Sequence, residues 1–233
     1  MAVELSLPGR RIPAPLPPSY LALDMAFGVG NPAILGDKSR YRSHGAITGA
    51  VPAAGVHGYC LDFDPTIPSY VEIPAAHTQL NFTSEDFSFV SRVYNRNPAA
   101  GAILFNRGLA TTDGYYIYMV PSGSFRLYTN QALASQNTRS ADGEIVANTW
   151  HTLGISRSGA SATVYKNGVD ITVEAGIHID PLTCARSAKI GIYNDLASFP
   201  LVGQIRWVRF LKRALSEEEH MIAHLGGRLA PIT

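Results

Sequence analysis

From Tyr20 to Leu211, apolar side chains recur at every second residue in short runs, and this period of two limits the fold more than any other feature. A strand sends successive side chains to opposite faces, so alternation marks a half-buried strand, whereas a helix needs spacings of three and four. The runs are Tyr20–Phe27, Gly58–Asp64 (Leu61 and Phe63 on one face), Tyr70–Ile73, Asp86–Tyr94, Ala102–Phe105, Tyr115–Met119 and Ser124–Tyr128. Trp150–Ser156, Ala162–Tyr165, Val169–Val173, Lys189–Tyr193 and Leu201–Leu211 continue the series. Between them stand turn residues: Pro65–Pro68, Asp113-Gly114, Ser122-Gly123 and Ser158-Gly159. Asn167-Gly168 predicts a type I′ hairpin, because both central positions of that turn take positive φ.

One helix is signalled. Ser216 is its N-cap and Glu219 closes a capping box; Glu217, Glu218 and Glu219 favour the positive helix end. Met221, Ile222 and Leu225 read as its apolar side, and Gly226-Gly227 as its stop. About a dozen strands and one short helix exclude an α/β nucleotide fold. The expectation is an all-β antiparallel sandwich over residues 19–233.

Residues 1–18 stand apart. Pro8, Pro13, Pro15, Pro17 and Pro18 exclude a helix or central strand and predict an extended arm. It either hangs free or lays Leu5, Leu7, Ile12 and Leu16 on a neighbouring subunit. The N-terminus lacks the basic start and apolar stretch of a secretory signal, and no run is long enough to span a bilayer. A net charge of +1 gives no basic bias toward nucleic acid; Arg206, Arg209, Lys212 and Arg213 read as a solvated strand face. Cys60 and Cys184 form either one bridge or two free thiols.

Five segments, in order, resemble the laminin G-like/concanavalin A-like family. Asp37-Lys-Ser-Arg-Tyr-Arg-Ser-His-Gly45-Ala-Ile is similar to its "D-x-S-x-x-x-N-H-G-T-I" opening. Leu61-Asp-Phe-Asp64 with Tyr70-Val-Glu-Ile-Pro74 resembles "L-x-F-D-G … Y-V-E-I-P", and Phe87-Ser-Phe-Val-Ser-Arg-Val resembles "F-T-I-x-x-W-V". Trp150-His-Thr-Leu-Gly-Ile-Ser-Arg157 with Val164-Tyr-Lys-Asn-Gly168 resembles "W-x-H-V-A-x-x-x-D … L-Y-V-N-G". Gly203 to Glu219 resembles "G-x-I-D-E-V-R-I-Y-N-R-A-L-S-x-E-E". The resemblance implies a jelly-roll of two curved antiparallel sheets with the helix at one edge.

Calcium is the ion the resemblance implies, with Asp62, Asp64, Asp113 and Asp195 as its carboxylates. Arg206-Trp207 stands where the family has a "D-E" pair, however, and an arginine there repels a cation. The paired acids of the family's glycosidases, spaced E-x-D-x-E, are absent, so no catalytic residues are assigned. His220 and His224, at i and i+4, lack the intervening glutamate of H-E-x-x-H and read as a solvated helix face; His44 reads as structural. Aromatic candidates for a sugar platform are Tyr115, Tyr116 and Trp207. Tyr115 and Tyr116 point oppositely, so one of them belongs to the core; the same holds for Trp207 and Phe210 around a bulge.

These readings give a non-enzymatic binding or structural protein. The first expectation is a virion surface component, a capsid decoration or tail-associated protein, assembled as a homo-oligomer through sandwich and arm. The second is a carbohydrate-binding or adhesion module of a secreted, extracellular protein.

Overall fold

The computed structural model describes residues 20–26, 33–55 and 58–226. In chain order the strands are β1 (Leu21–Ala26), β2 (Ile34–Leu35), β3 (Gly45–Thr48), β4 (Val51–Gly55), β5 (Gly58–Phe63), β6 (Tyr70–Ile73), β7 (Phe87–Asn95), β8 (Ala102–Leu109) and β9 (Asp113–Met119). They continue with β10 (Phe125–Gln131), β11 (Ala134–Ser140), β12 (Thr149–Ser158), β13 (Ser161–Lys166), β14 (Val169–Asp170), β15 (Thr172–Glu174), β16 (Ala188–Ile190) and β17 (Gly203–Leu211), followed by helix α1 (Glu217–His224).

The strands form two antiparallel sheets. One runs β14-β13-β12-β7-β17-β5-β4, with β1 also paired to β17. The other runs β15-β11-β10-β9-β8-β16-β6-β3-β2. Between them lies one apolar core fed by the inward side of every long strand, including Leu61, Phe63, Phe89, Phe105, Ile117, Leu127, Ile155 and Phe210. Its centre is aromatic: Phe105 and Phe210 are 4.5 Å apart between ring centroids, and Phe82 stacks on Phe87 at 4.7 Å. Tyr115 belongs here too, with its hydroxyl donating to the Leu80 carbonyl at 2.9 Å.

Two bulges break the alternation and re-aim side chains. In β8 the register shifts between Ile103 and Phe105, so Leu104 and Phe105 both enter the core. In β17 it shifts between Ile205 and Trp207, so Arg206 and Trp207 both stay outside while Ile205, Val208 and Phe210 point in. The Asn167-Gly168 hairpin forms as expected, with φ of 53° and 86°.

The capping box of α1 is present: Ser216 Oγ accepts from Glu219 N, and the Glu219 carboxylate accepts from Ser216 N. The buried side of the helix differs from the expected one. Glu219, His220 and Ala223 are buried, while Leu225 is 72 % exposed. The reason is local: Gly154 on β12 has no side chain, and the His220 ring occupies that space. The ring stacks on Tyr165 at 3.9 Å and shares a 2.9 Å hydrogen bond with Ser156 Oγ. His220 is therefore a core residue and not part of a solvated face. Strands β2, β3, β4 and the polar β11 are additions to the runs read from alternation. The proline-rich arm with Leu5, Leu7, Ile12 and Leu16 lies outside the described residues.

Candidate functional site

The outer face of the nine-stranded sheet carries the richest arrangement of chemistry. Register places Asn137, Tyr128, Tyr116, Asn106, Lys189 and Glu72 side by side across β11, β10, β9, β8, β16 and β6. Alternation puts this row outside, because its neighbours Leu127, Ile117 and Phe105 are in the core. A second row brings Arg139, Arg126, Tyr118 and Ile103 together.

The rings of Tyr116 and Tyr128 lie nearly parallel, 4.7 Å apart at 15°. Tyr193 meets Tyr116 edge-on at 5.7 Å, and Phe199, 40 % exposed, leans on Tyr118 at 4.8 Å. The loop from Tyr193 to Phe199 walls the platform. Its anchors are the Tyr193 hydroxyl, which accepts from Ala110 N at 2.7 Å, and the Asn194 amide, which donates to the Gly108 carbonyl. Asp195 shapes the loop from within by accepting from Ala197 N, Ser198 N and the Ser198 hydroxyl.

Burial, and after it the neighbouring Tyr128, pushes the Tyr118 hydroxyl up to about 12 and raises that of Tyr116 as well. Both stay protonated at neutral pH. The Tyr128 hydroxyl accepts from Arg126 Nη1 at 3.2 Å. Three polar atoms of this face, Asn106 Oδ1, Asn137 Oδ1 and Arg126 Nε, are buried without a partner, which is uncommon in a folded protein. Lys189 is engaged by Glu72 at 2.8 Å, and that contact holds the Glu72 carboxyl below its usual range.

A family model for the concanavalin A-like lectin/glucanases superfamily, of laminin G type, matches residues 67–219. This chain belongs to the concanavalin A-like lectin/glucanase superfamily. No curated protein sequence matches it. Among solved structures it is similar to the binding domain of Paraclostridial Mosquitocidal Protein 1 (TM-score 0.71, 15 % identity, covering 89 % of this chain and 52 % of that one). It is also similar to domain 4 of AbnA, a GH43 extracellular arabinanase from Geobacillus stearothermophilus, in complex with arabinotriose (TM-score 0.65, 18 % identity, 87 % and 97 %). A third is the receptor binding domain of botulinum neurotoxin D (TM-score 0.68, 13 % identity, 90 % and 53 %). The chain spans about half the length of the two toxin domains and nearly all of the arabinanase domain.

The segment from Asp37 to Ile47, which resembles the family's opening motif, has a structural explanation here. Asp37 is buried, and its carboxylate accepts from Asp24 N at 2.9 Å, Ser39 N at 2.8 Å, Ser39 Oγ at 2.6 Å and Ser43 N at 2.8 Å. His44 Nδ1 accepts from Asp37 N at 3.0 Å, in keeping with its structural reading. The motif is a loop clamp.

The four aspartates read as calcium ligands do not come together in this superfamily member. Asp62 is held by Arg96 and by Gln204 at 2.7 Å. Asp64 caps a turn at Thr66, Asp113 pairs with Arg186, and Asp195 shapes its loop. Among the described residues no group of three or more His, Cys, Asp or Glu is placed to hold a metal. The aromatic candidates also part company: Tyr115 is core, Tyr116 lies on the nine-stranded sheet and Trp207 on the opposite one. Both cysteines are free and buried, and burial raises both thiols. Of the basic cluster, Arg209 pairs with Asp24 and Arg213 with Glu219, while the Lys212 ammonium sits 5.0 Å over the Tyr41 ring. Asn137 was not legible as a site residue, because β11 reads Ala-Ser-Gln-Asn-Thr-Arg-Ser and carries no apolar alternation.

Proposed function

We propose that this chain is a non-catalytic carbohydrate-binding module whose sugar site is the tyrosine row on the nine-stranded sheet. The observation that carries the reading is the Tyr116–Tyr128 stack, open at the half-buried Tyr128 and bordered by the half-buried Asn137. Aromatic surface packs on the C–H face of a sugar ring, and the half-buried Tyr128 and Asn137 at its edge supply polar groups for its hydroxyls. The similarity to an arabinanase domain in complex with arabinotriose supports the same class of ligand. An extracellular location accords with that relative's printed description.

The virion reading, with homo-oligomeric assembly through sandwich and arm, leans on the proline-rich arm, which lies outside the described residues. The similar structures are binding domains and favour the carbohydrate reading instead. The test is a glycan array followed by calorimetry on the best ligand. Tyr128→Ala and Asn137→Ala are each expected to weaken binding by about ten-fold, corresponding to roughly 1.4 kcal/mol. Binding that both variants leave intact would place the sugar elsewhere, and an array with no hits would remove the proposal.

A further inference from the structure

The outer face of the other sheet holds an arrangement that the sugar platform does not use. Arg92 on β7 has Thr152 of β12 as register partner on one side and Trp207 of β17 on the other. The β17 bulge turns Arg206 out next to Trp207, so two guanidinium groups share one surface. Arg92 Nη1 donates to Thr152 Oγ1 at 3.0 Å, and His224 Nδ1, from the last turn of α1, lies 3.1 Å from the same oxygen. Trp150 flanks this group from β12, its ring 5.5 Å from that of Tyr94.

The neighbouring arginines are neutralised. Arg96 is bound to Asp62, which Gln204 also engages, and Arg209 is bound to Asp24 at 3.0 Å. Arg92 and Arg206 have no carboxylate partner among the described residues. Arg92 is half-buried; burial lowers its affinity for a proton, and the charge of Arg206 lowers it further. A face serving solvation alone has no reason to bring two like charges together with no carboxylate beside either. An oxyanion between them relieves the repulsion through charge-assisted hydrogen bonds, in the geometry for which guanidinium groups are suited.

We propose that Arg92 and Arg206, flanked by the indoles of Trp207 and Trp150, form a site for an oxyanion: the carboxylate, sulfate or phosphate group of a ligand. The site is independent of the tyrosine row, which lies on the opposite sheet.

The chain's two tryptophans stand on the same face, Trp207 as register partner of Arg92 and Trp150 two residues from Thr152, so intrinsic fluorescence is the readout. Sodium sulfate, sodium phosphate, sodium glucuronate and glucose 6-sulfate are titrated at constant ionic strength, with glucose as the neutral control. A saturable change with the anions and none with glucose is expected, together with about ten-fold weaker binding in Arg92→Gln and in Arg206→Gln. Tyr128→Ala should leave the titration unchanged, which separates this site from the sugar platform. Tighter binding of the sugar anions than of inorganic sulfate and phosphate identifies a charged saccharide as the source; equal binding identifies the free anion. Arg206, at a bulge and partly exposed, keeps the test valid if Arg92→Gln does not fold. Absence of a saturable change with every anion, or an undiminished change in Arg206→Gln, would overturn the proposal.

Discussion

Acidification from pH 7 to pH 5 is expected to destabilise this domain through two histidines held neutral in its interior. His220 sits under α1 against Tyr165 and Ser156, and burial depresses its pKa to about 3. His178 lies between two threonines, with Nδ1 2.8 Å from Thr129 Oγ1 and Nε2 2.8 Å from Thr138 Oγ1. Burial, and secondarily the charge of Arg157, brings it to about 4. An unfolded histidine titrates near ~6.5. Because both folded values are depressed, the unfolded chain takes up protons first as pH falls. The stabilisation is complete above ~6.5 and is lost below it, at about 1.4 kcal/mol per pH unit for each histidine until its folded pKa is reached. At pH 5 the loss is roughly 2 kcal/mol per histidine, or about 4 kcal/mol for the pair. Glu72, Glu85 and Glu219 are held below their usual range, so they contribute little in this window. His151 and His224, also depressed by burial, act in the same direction. Urea unfolding at pH 7, 6 and 5 measures the slope for the natural chain and for His178→Gln, His220→Gln and the double variant. Each substitution should flatten the pH dependence by about half of the pair's share, whatever it does to stability at pH 7. Parallel pH profiles for all four proteins would refute the assignment.

Three further outcomes follow from the geometry. Asp37→Asn turns one acceptor of a four-donor clamp into a donor facing N–H and O–H groups, and should cost about 2–4 kcal/mol in chemical denaturation; a loss below ~1 kcal/mol would contradict the clamp. Gly168→Ala forces a side chain into φ +86° with its Cβ 2.5 Å from the Met221 Cα, and should lower the melting temperature more than Gly159→Ala, whose Cβ meets open space. Arg157 is fully buried, donating to the Thr83 carbonyl and to Asp180 at 2.6 Å; Arg157→Ala leaves Thr83 and a cavity unfilled, and should cost about 3 kcal/mol by urea unfolding.

Local rules carried much of this protein. Period-two alternation located the long strands, Asn167-Gly168 its hairpin and Ser216 with Glu219 the helix start, because each depends on neighbours within a few residues. Opposed faces of consecutive strand residues told that Tyr115 and Tyr116 part company, though not which one enters the core. Tertiary structure alone decided which side chains meet across strands. The row of Asn137, Tyr128, Tyr116 and Asn106 depends on the pairing of four strands. The two bulges decided that Arg206 and Trp207 face out and that Leu104 joins Phe105 inside. The buried side of α1 was fixed by Gly154, far away in sequence, which leaves room for the His220 ring. Calcium candidates chosen by motif position dispersed for the same reason: a ligand set is a property of distances between segments, and only the packed sheets define those distances.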